Sequence, residues 1–361
     1  MSKTIFISGG GTGGHLFPAI AIGTELANNN CSIIYIGSKH GIEKKYFKEN
    51  SLKHYLLNIK GIQRHLSIRS IFTNFLFPLR FIISYIHSIF LIMKYKPKAI
   101  IGTGGYASGL PLLAGILFKI PIMIQEQNSI PGLITRKLNN KTKNIFLGFK
   151  ETKKMLIGKS LFTGNPIMTN LKNYNKSKCK EKLGFDTTKK LILILGGSQG
   201  ARAINNYIYD KINFFITNKF QIYWQCGFND IKKIRKIKHQ SIKITPFIND
   251  MSTAYSSADI VISRSGAISI SELSFMKKAT IFIPLPSAAD NHQEINSMYL
   301  EEKKACISLK QKDLVKGVLE KTISQLLSNK KNIEKLEKNI CQFSSKDSTK
   351  LIVDKILESV K

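Results

Sequence analysis

Short apolar runs that end in glycine clusters recur along the chain. Residues 4–8 (TIFIS) run into 9–14 (GGGTGG), and the stretch from His15 to Ala27 then takes up helical spacing, with Pro18 tolerated in the first turn. A second apolar run at 32–37 completes a β–α–β unit, which predicts a parallel sheet. The pattern restarts at 190–195 (KLILIL), followed by 196–200 (GGSQG) and a helix from Ala201. Further strands are expected at 98–102, 120–125, 221–226, 242–248, 259–263 and 280–285. Two more strand ends feed small-residue turns, in 100–109 (IIGTGGYASG) and 260–267 (IVISRSGA). The restart predicts an α/β chain of two similar domains in tandem. Ligands would bind at the carboxyl ends of the strands, where the loops of the two domains are expected to face each other. The domains are expected at 1–165 and 166–345, with 346–361 a C-terminal helix packing back on the first.

Length and composition agree with this plan. At 361 residues and 43% hydrophobic content, the chain suits two globular domains. Lys and Arg number 55 against 23 acids, a net charge of +32, which favours anionic partners. Lysine is abundant even in stretches such as 138–144 (LNNKTKN), however, so charge alone does not name the partner. The five cysteines are scattered with no C-x-x-C pair, which argues for reduced thiols and against a zinc site. No signal peptide is expected at the start, because the run 4–8 is too short. Residues 70–93 are long and apolar enough to span a bilayer. Arg80 near the middle and Pro78 oppose spanning, so a buried helix or one lying on a membrane is expected.

The glycine runs carry the candidate chemistry. Residues 9–14 satisfy G-x-G-x-x-G, but the second strand lacks the acid that a dinucleotide site needs, and Glu43 comes late. A P-loop would need Lys where His15 stands. What remains is a glycine loop at a helix N-terminus, where an anion or a sugar can approach backbone N–H groups. Residues 196–200 repeat the arrangement, with Ser198 as a phosphate donor. His15, at the end of the first loop, is suited to take a proton from a hydroxyl. Glu272 could accept two hydrogen bonds from a ribose diol, and 290–296 (DNHQEIN) could read sugar hydroxyls.

Taken together and in order, GGTGGH (10–15), GTGGYASG (102–109), EQN (126–128), PG (131–132), GNP (164–166), GGSQGA (196–201), FINDM (247–251), RSGA (264–267) and DNHQ (290–293) resemble the MurG family of peptidoglycan N-acetylglucosaminyltransferases. The resemblance covers about residues 5–300. It implies a GT-B fold and an inverting transfer of N-acetylglucosamine from UDP-GlcNAc to the 4-hydroxyl of MurNAc in undecaprenyl-pyrophosphoryl-MurNAc-pentapeptide, converting lipid I to lipid II, with no cofactor and no metal at the reaction centre. By the same resemblance, Ile248 would hold the uracil edge through its backbone and Glu272 the ribose. Ser198, Gln199, Ala267, Ile268 and Ser269 would surround the diphosphate, and His292, Gln293 and Asn296 the donor sugar. Thr12, Gly13, Gly14 and Asn128 would close on the donor at the reaction centre, with His15 as base. Gly104, Gly105, Tyr106 and Glu126 would line the acceptor side.

Two positions depart from the family. Gln125 stands where its members have His, and Met168 stands where they have Arg after the GNP motif, with Lys172 and Arg202 as candidate substitutes for that cation. A lipid acceptor also gives the segment 70–93 a purpose. Phe72, Phe75, Phe77, Arg80 and Phe81 are expected to dock on an anionic membrane surface, at the cytoplasmic face of a bacterial inner membrane, where other cell-wall synthesis proteins are possible partners. An epimerase of the same fold is the rival enzyme, and it would need no acceptor loops. A nucleic-acid binder rests on charge alone, and no recognisable motif supports it.

Overall fold

A computed structural model describes residues 2–61, 74–167, 171–196, 200–345 and 347–360. The chain divides into two compact units, residues 1–169 with 345–361, and residues 170–344.

The first unit is built on seven parallel strands: β1 (Thr4–Ser8), β2 (Ser32–Ser38), β3 (His54–Leu57), β4 (Ala99–Gly102), β5 (Ile122–Glu126), β6 (Asn144–Leu147) and β7 (Ser160–Phe162). Their spatial order is β3-β2-β1-β4-β5-β6-β7. Ile5 pairs with Ile33 on one side and with Ala99 on the other. Continuous apolar runs such as TIFIS suit this position, because a central parallel strand is covered on both faces.

The second unit repeats the design with six parallel strands: β8 (Leu191–Leu195), β9 (Gln221–Gln225), β10 (Ile242–Thr245), β11 (Ile260–Ser263), β12 (Thr280–Phe282) and β13 (Ile307–Ser308), in the order β10-β9-β8-β11-β12-β13. Its core centres on Trp224, which is fully buried and whose indole N–H donates to Asn205 Oδ1 at 3.0 Å.

In each sheet the strand order reverses next to the first strand, between β1 and β4 and between β8 and β11. The loops that leave these strands therefore diverge and open a crevice at their carboxyl ends. The glycine run 9–14 follows β1 at the first of these switch points, and Gly196 follows β8 at the second.

The C-terminal helix Ser348–Ser359 belongs to the first unit. Ile352, Val353 and Ile356 are buried in its core with Leu16 and Ile20. Ser348 Oγ donates to the Asn165 carbonyl at 2.7 Å, and Thr349 Oγ1 to that of Ile167 at 3.3 Å.

The helix Phe77–Tyr95 is apolar on two faces. Ser84, Ser88, Leu91 and Ile92 are buried, and Phe77, Phe81, Tyr85 and Ile89 pack partly against the core. On the opposite face Leu79, Ile82, Ile83, Ile86, Phe90 and Met93 are each more than half exposed, and Phe75 precedes them at 79%. This revises the expected membrane set. Helical periodicity turns Phe77 and Phe81 inward and leaves Arg80 half-buried, whereas Phe75 and Phe90 face out. Phe72 lies outside the described residues.

Candidate active site

At the first switch point, two loops meet. Residues 9–12 leave β1 and residues 103–105 leave β4. Thr12 is the N-cap of the helix Gly13–Asn28 with an extended backbone, and its hydroxyl makes no capping bond. The N–H groups of Gly13 and Gly14 lie in the first turn of that helix, whose dipole favours negative charge. Gly104 and Gly105 have φ of 98° and 76°. A Cβ on Gly104 would stand 2.5 Å from His15 Nδ1, and one on Gly105 would stand 2.4 Å from the Gly10 carbonyl oxygen. Both are glycine because the loops could not otherwise close around the histidine.

A glutamate fixes the outer side of the first loop. Glu43 is fully buried, and its carboxylate accepts from the Gly11 N–H at 2.8 Å and the Ser38 N–H at 2.7 Å. Glu43 comes too late in the chain for the acid of a dinucleotide site, and it braces this loop instead. A helix-opening Glu shortly after the second strand was its only signal.

His15 is half-buried. Its Nδ1 lies 3.0 Å from the Thr103 carbonyl and 3.1 Å from Gln127 Oε1, both acceptors. Nδ1 therefore carries the proton, which makes Nε2 the basic nitrogen of the neutral ring. Thr103 Oγ1 returns a bond to the His15 carbonyl at 2.8 Å. Gln125, at the position of the family's histidine, is buried and donates to Asn165 Oδ1 at 2.9 Å, so this departure is taken up by the protein interior.

The remaining expected residues of this unit divide by environment. Tyr106 opens the helix Tyr106–Leu117 and is 39% exposed, available to a ligand. Asn128 is half-buried, and its carbonyl accepts from Thr152 Oγ1 at 3.0 Å. Glu126 is a different case from the one expected. It is buried, and its carboxylate accepts from the N–H groups of Asn128 and Gly132 and from Thr135 Oγ1, at 3.1, 2.9 and 2.6 Å. It ties the turn 128–135 together from inside.

At the second switch point Ser198 and Gln199 lie outside the described residues, as does Met168. The helix Ala267–Phe275 begins after β11 at Gly266, with no side-chain cap, so the N–H groups of Ala267, Ile268 and Ser269 form its first turn. Glu272 projects from this helix and accepts from Tyr255 OH at 2.8 Å. Burial pushes its carboxyl up to about 7, opposed in part by the Tyr255 bond. Ile248 is buried, and its N–H donates to Gln225 Oε1 at 2.9 Å, so a base edge would meet its carbonyl first.

The first turn of the helix His292–Glu302 is tied to the neighbouring loops. Gln293 accepts from the Leu285 N–H at 3.0 Å, and its carbonyl accepts from Ser265 Oγ at 2.8 Å. Asn296 is fully buried and donates to the Ser265 carbonyl at 3.4 Å. His292 Nδ1 faces the Ala289 carbonyl at 2.6 Å, which leaves Nε2 as its acceptor nitrogen. Arg264, not singled out from sequence, donates to the carbonyls of Ile283 and Pro284 at 2.9 Å and to Gln311 Oε1 at 2.7 Å. Burial lowers its guanidinium to about 10, still charged at neutral pH. Of the two candidate cations, Arg202 is exposed and pairs only loosely with Asp230, at 3.8 Å.

Two parallel-sheet domains, each with a helix N-terminus at its switch point, are the architecture of the GT-B class. The sequence matches the glycosyltransferase family 28 N-terminal domain over residues 5–147 and the family 28 C-terminal domain over residues 191–352. It is 38% identical to the UDP-N-acetylglucosamine–N-acetylmuramyl-(pentapeptide) pyrophosphoryl-undecaprenol N-acetylglucosamine transferase of Flavobacterium psychrophilum, over 98% of this chain and 97% of that one. The enzyme of the same name from Christiangramia forsetii is 35% identical, over 98% and 96% of the two chains. The crystal structure of Acinetobacter baumannii MurG superposes with a TM-score of 0.78 at 25% identity, covering 99% of this chain and all of that one. The chain belongs to glycosyltransferase family 28, among the MurG-type N-acetylglucosamine transferases.

Proposed function

We propose that the chain transfers N-acetylglucosamine from UDP-GlcNAc to the 4-hydroxyl of the MurNAc sugar of undecaprenyl-pyrophosphoryl-MurNAc-pentapeptide, in one inverting displacement. The observation that carries the reading is His15, held as the Nδ1–H tautomer at a glycine-lined switch point. Its Nε2 takes the proton of the acceptor hydroxyl as that oxygen attacks the anomeric carbon. The bond from that carbon to the diphosphate oxygen breaks, and UDP leaves with the electron pair. Helix N-termini favour the charge that develops on the leaving group. Glu272, when ionised, accepts from the ribose hydroxyls, and the turns at Ala267 and His292 surround the rest of the donor.

The outward face of the helix Phe77–Tyr95 supplies the contact with the lipid carrier's membrane. Leu79, Ile82, Ile83, Ile86 and Phe90 enter the acyl boundary of an anionic leaflet, so the enzyme works as a peripheral protein on the cytoplasmic face. The helix is also long and apolar enough to cross a bilayer, but its other face packs on the core.

The test is transfer of labelled N-acetylglucosamine from UDP-GlcNAc to a lipid I analogue. Product that requires the acceptor supports the reading. Conversion of UDP-GlcNAc with no acceptor present points to the epimerase instead and overturns it.

A further inference from the structure

We propose that Gln127 is a positioning residue for His15, and that a one-way chain of buried amides, together with the Thr103 carbonyl, holds the histidine as the Nδ1–H tautomer. Gln127, Gln125 and Asn165 are at most 4% exposed. The Gln127 amide nitrogen lies 2.7 Å from the Thr103 carbonyl and 3.0 Å from the Gln125 carbonyl. These backbone oxygens can only accept, so the NH₂ must face them and Oε1 must face His15. A flipped amide would set an oxygen against two carbonyls and an NH₂ against Nδ1.

The direction carries through the interior. Gln127 Nε2 also donates to Gln125 Oε1 at 2.5 Å, Gln125 Nε2 donates to Asn165 Oδ1 at 2.9 Å, and Asn165 Nδ2 donates back to the Gln127 carbonyl at 3.1 Å. Ser348 Oγ anchors the Asn165 carbonyl from the C-terminal helix. The amides are neutral, so they orient the base without offering its protonated form a counter-charge.

The inference rests on the reading of His15 as the base, and the experiment separates the two. The full chain is labelled with ¹⁵N-histidine and its imidazole nitrogens are observed by NMR, with His15 assigned by difference against His15→Gln. The expected spectrum shows Nδ1 protonated and Nε2 unprotonated at neutral pH. The opposite tautomer overturns the proposal with no need of a further variant. Gln127→Met should then lower kcat about 10- to 100-fold, the size of loss seen when the hydrogen-bond partner of a metal-bound histidine is removed. KM for both substrates should stay within about twofold, and the His15 signals should shift as Nδ1 loses the Gln127 oxygen and keeps the Thr103 carbonyl. A fall in kcat with an unchanged His15 spectrum would mean that Gln127 acts only through packing, and the positioning role fails. Retention of full transfer by His15→Gln would sink the base reading, and the spectrum would still decide the tautomer.

Discussion

Each switch point has one buried or half-buried glutamate beside it, and the two are held in opposite ways. Glu43 meets two backbone N–H donors at 2.7–2.8 Å and braces the loop after β1. Glu272 meets a single phenol at 2.8 Å, and burial raises its carboxyl to about 7. A carboxylate with its donors in place is part of the scaffold. One that is desolvated and short of donors is prepared for a ligand that brings them, as a ribose diol does. The same sheet design has therefore been given two tasks. Beside the first loop the carboxylate has its donors in place, and in the second unit burial favours the protonated form of a carboxyl that meets a single phenol.

The sharpest way to break this division is at the base. If chemistry belongs to the first crevice and nucleotide binding to the second, His15→Ala should cut kcat about 1000-fold, within the range for a general base. UDP affinity measured by calorimetry should change less than about twofold. A large loss of UDP affinity would merge the two tasks.

The next effect in size falls on Glu272. Glu272→Gln should weaken UDP about 10- to 100-fold, the worth of charge-assisted hydrogen bonds. Only the ionised carboxylate accepts from both hydroxyls, so wild-type affinity should fall as pH drops below about 7, and the variant should titrate flat. Stability runs the other way. The folded-state pKa lies above the unfolded one, so the contribution of this group is fully present below about 4.5 and is lost as pH rises toward 7. Thermal melts of wild type and Glu272→Gln across pH 5–8 should therefore converge at the acid end relative to their difference at pH 8.

Much of this was legible in the sequence, and the rest was hidden for physical reasons. The parallel α/β class, the glycine turns and nine strands follow from apolar runs that stop at glycine. Strands β3, β6, β7 and β13, of two to four residues each, were not among those expected. The long apolar helix Phe77–Tyr95 was visible by composition, but its outward face was not. Aromatic residues drew attention to Phe77 and Phe81, whereas the helical period places Ile82, Ile83 and Ile86 outside. The motif EQN drew attention to Glu126 and Asn128. The partner of His15 is the residue between them, joined across 112 positions that only the fold brings together. Arg264 and Tyr255 were missed because a residue's worth there depends on which carbonyl or carboxylate it reaches.

The smallest effect on binding should come from Glu43, and it tests the comparison most directly. In Glu43→Gln one amide end still accepts, but the NH₂ faces the N–H of Gly11 or of Ser38 and leaves that donor unpaired. An unsatisfied buried group of this kind costs about 1–3 kcal/mol, which a urea midpoint would register. The loop after β1 would loosen beside His15, so kcat should fall severalfold. UDP affinity should stay within about twofold and keep the wild-type fall below pH 7, because the titrating carboxylate belongs to the other sheet. If Glu43→Gln instead weakened UDP and flattened its pH dependence, the brace and the ligand-binding carboxylate would have been assigned to the wrong crevices.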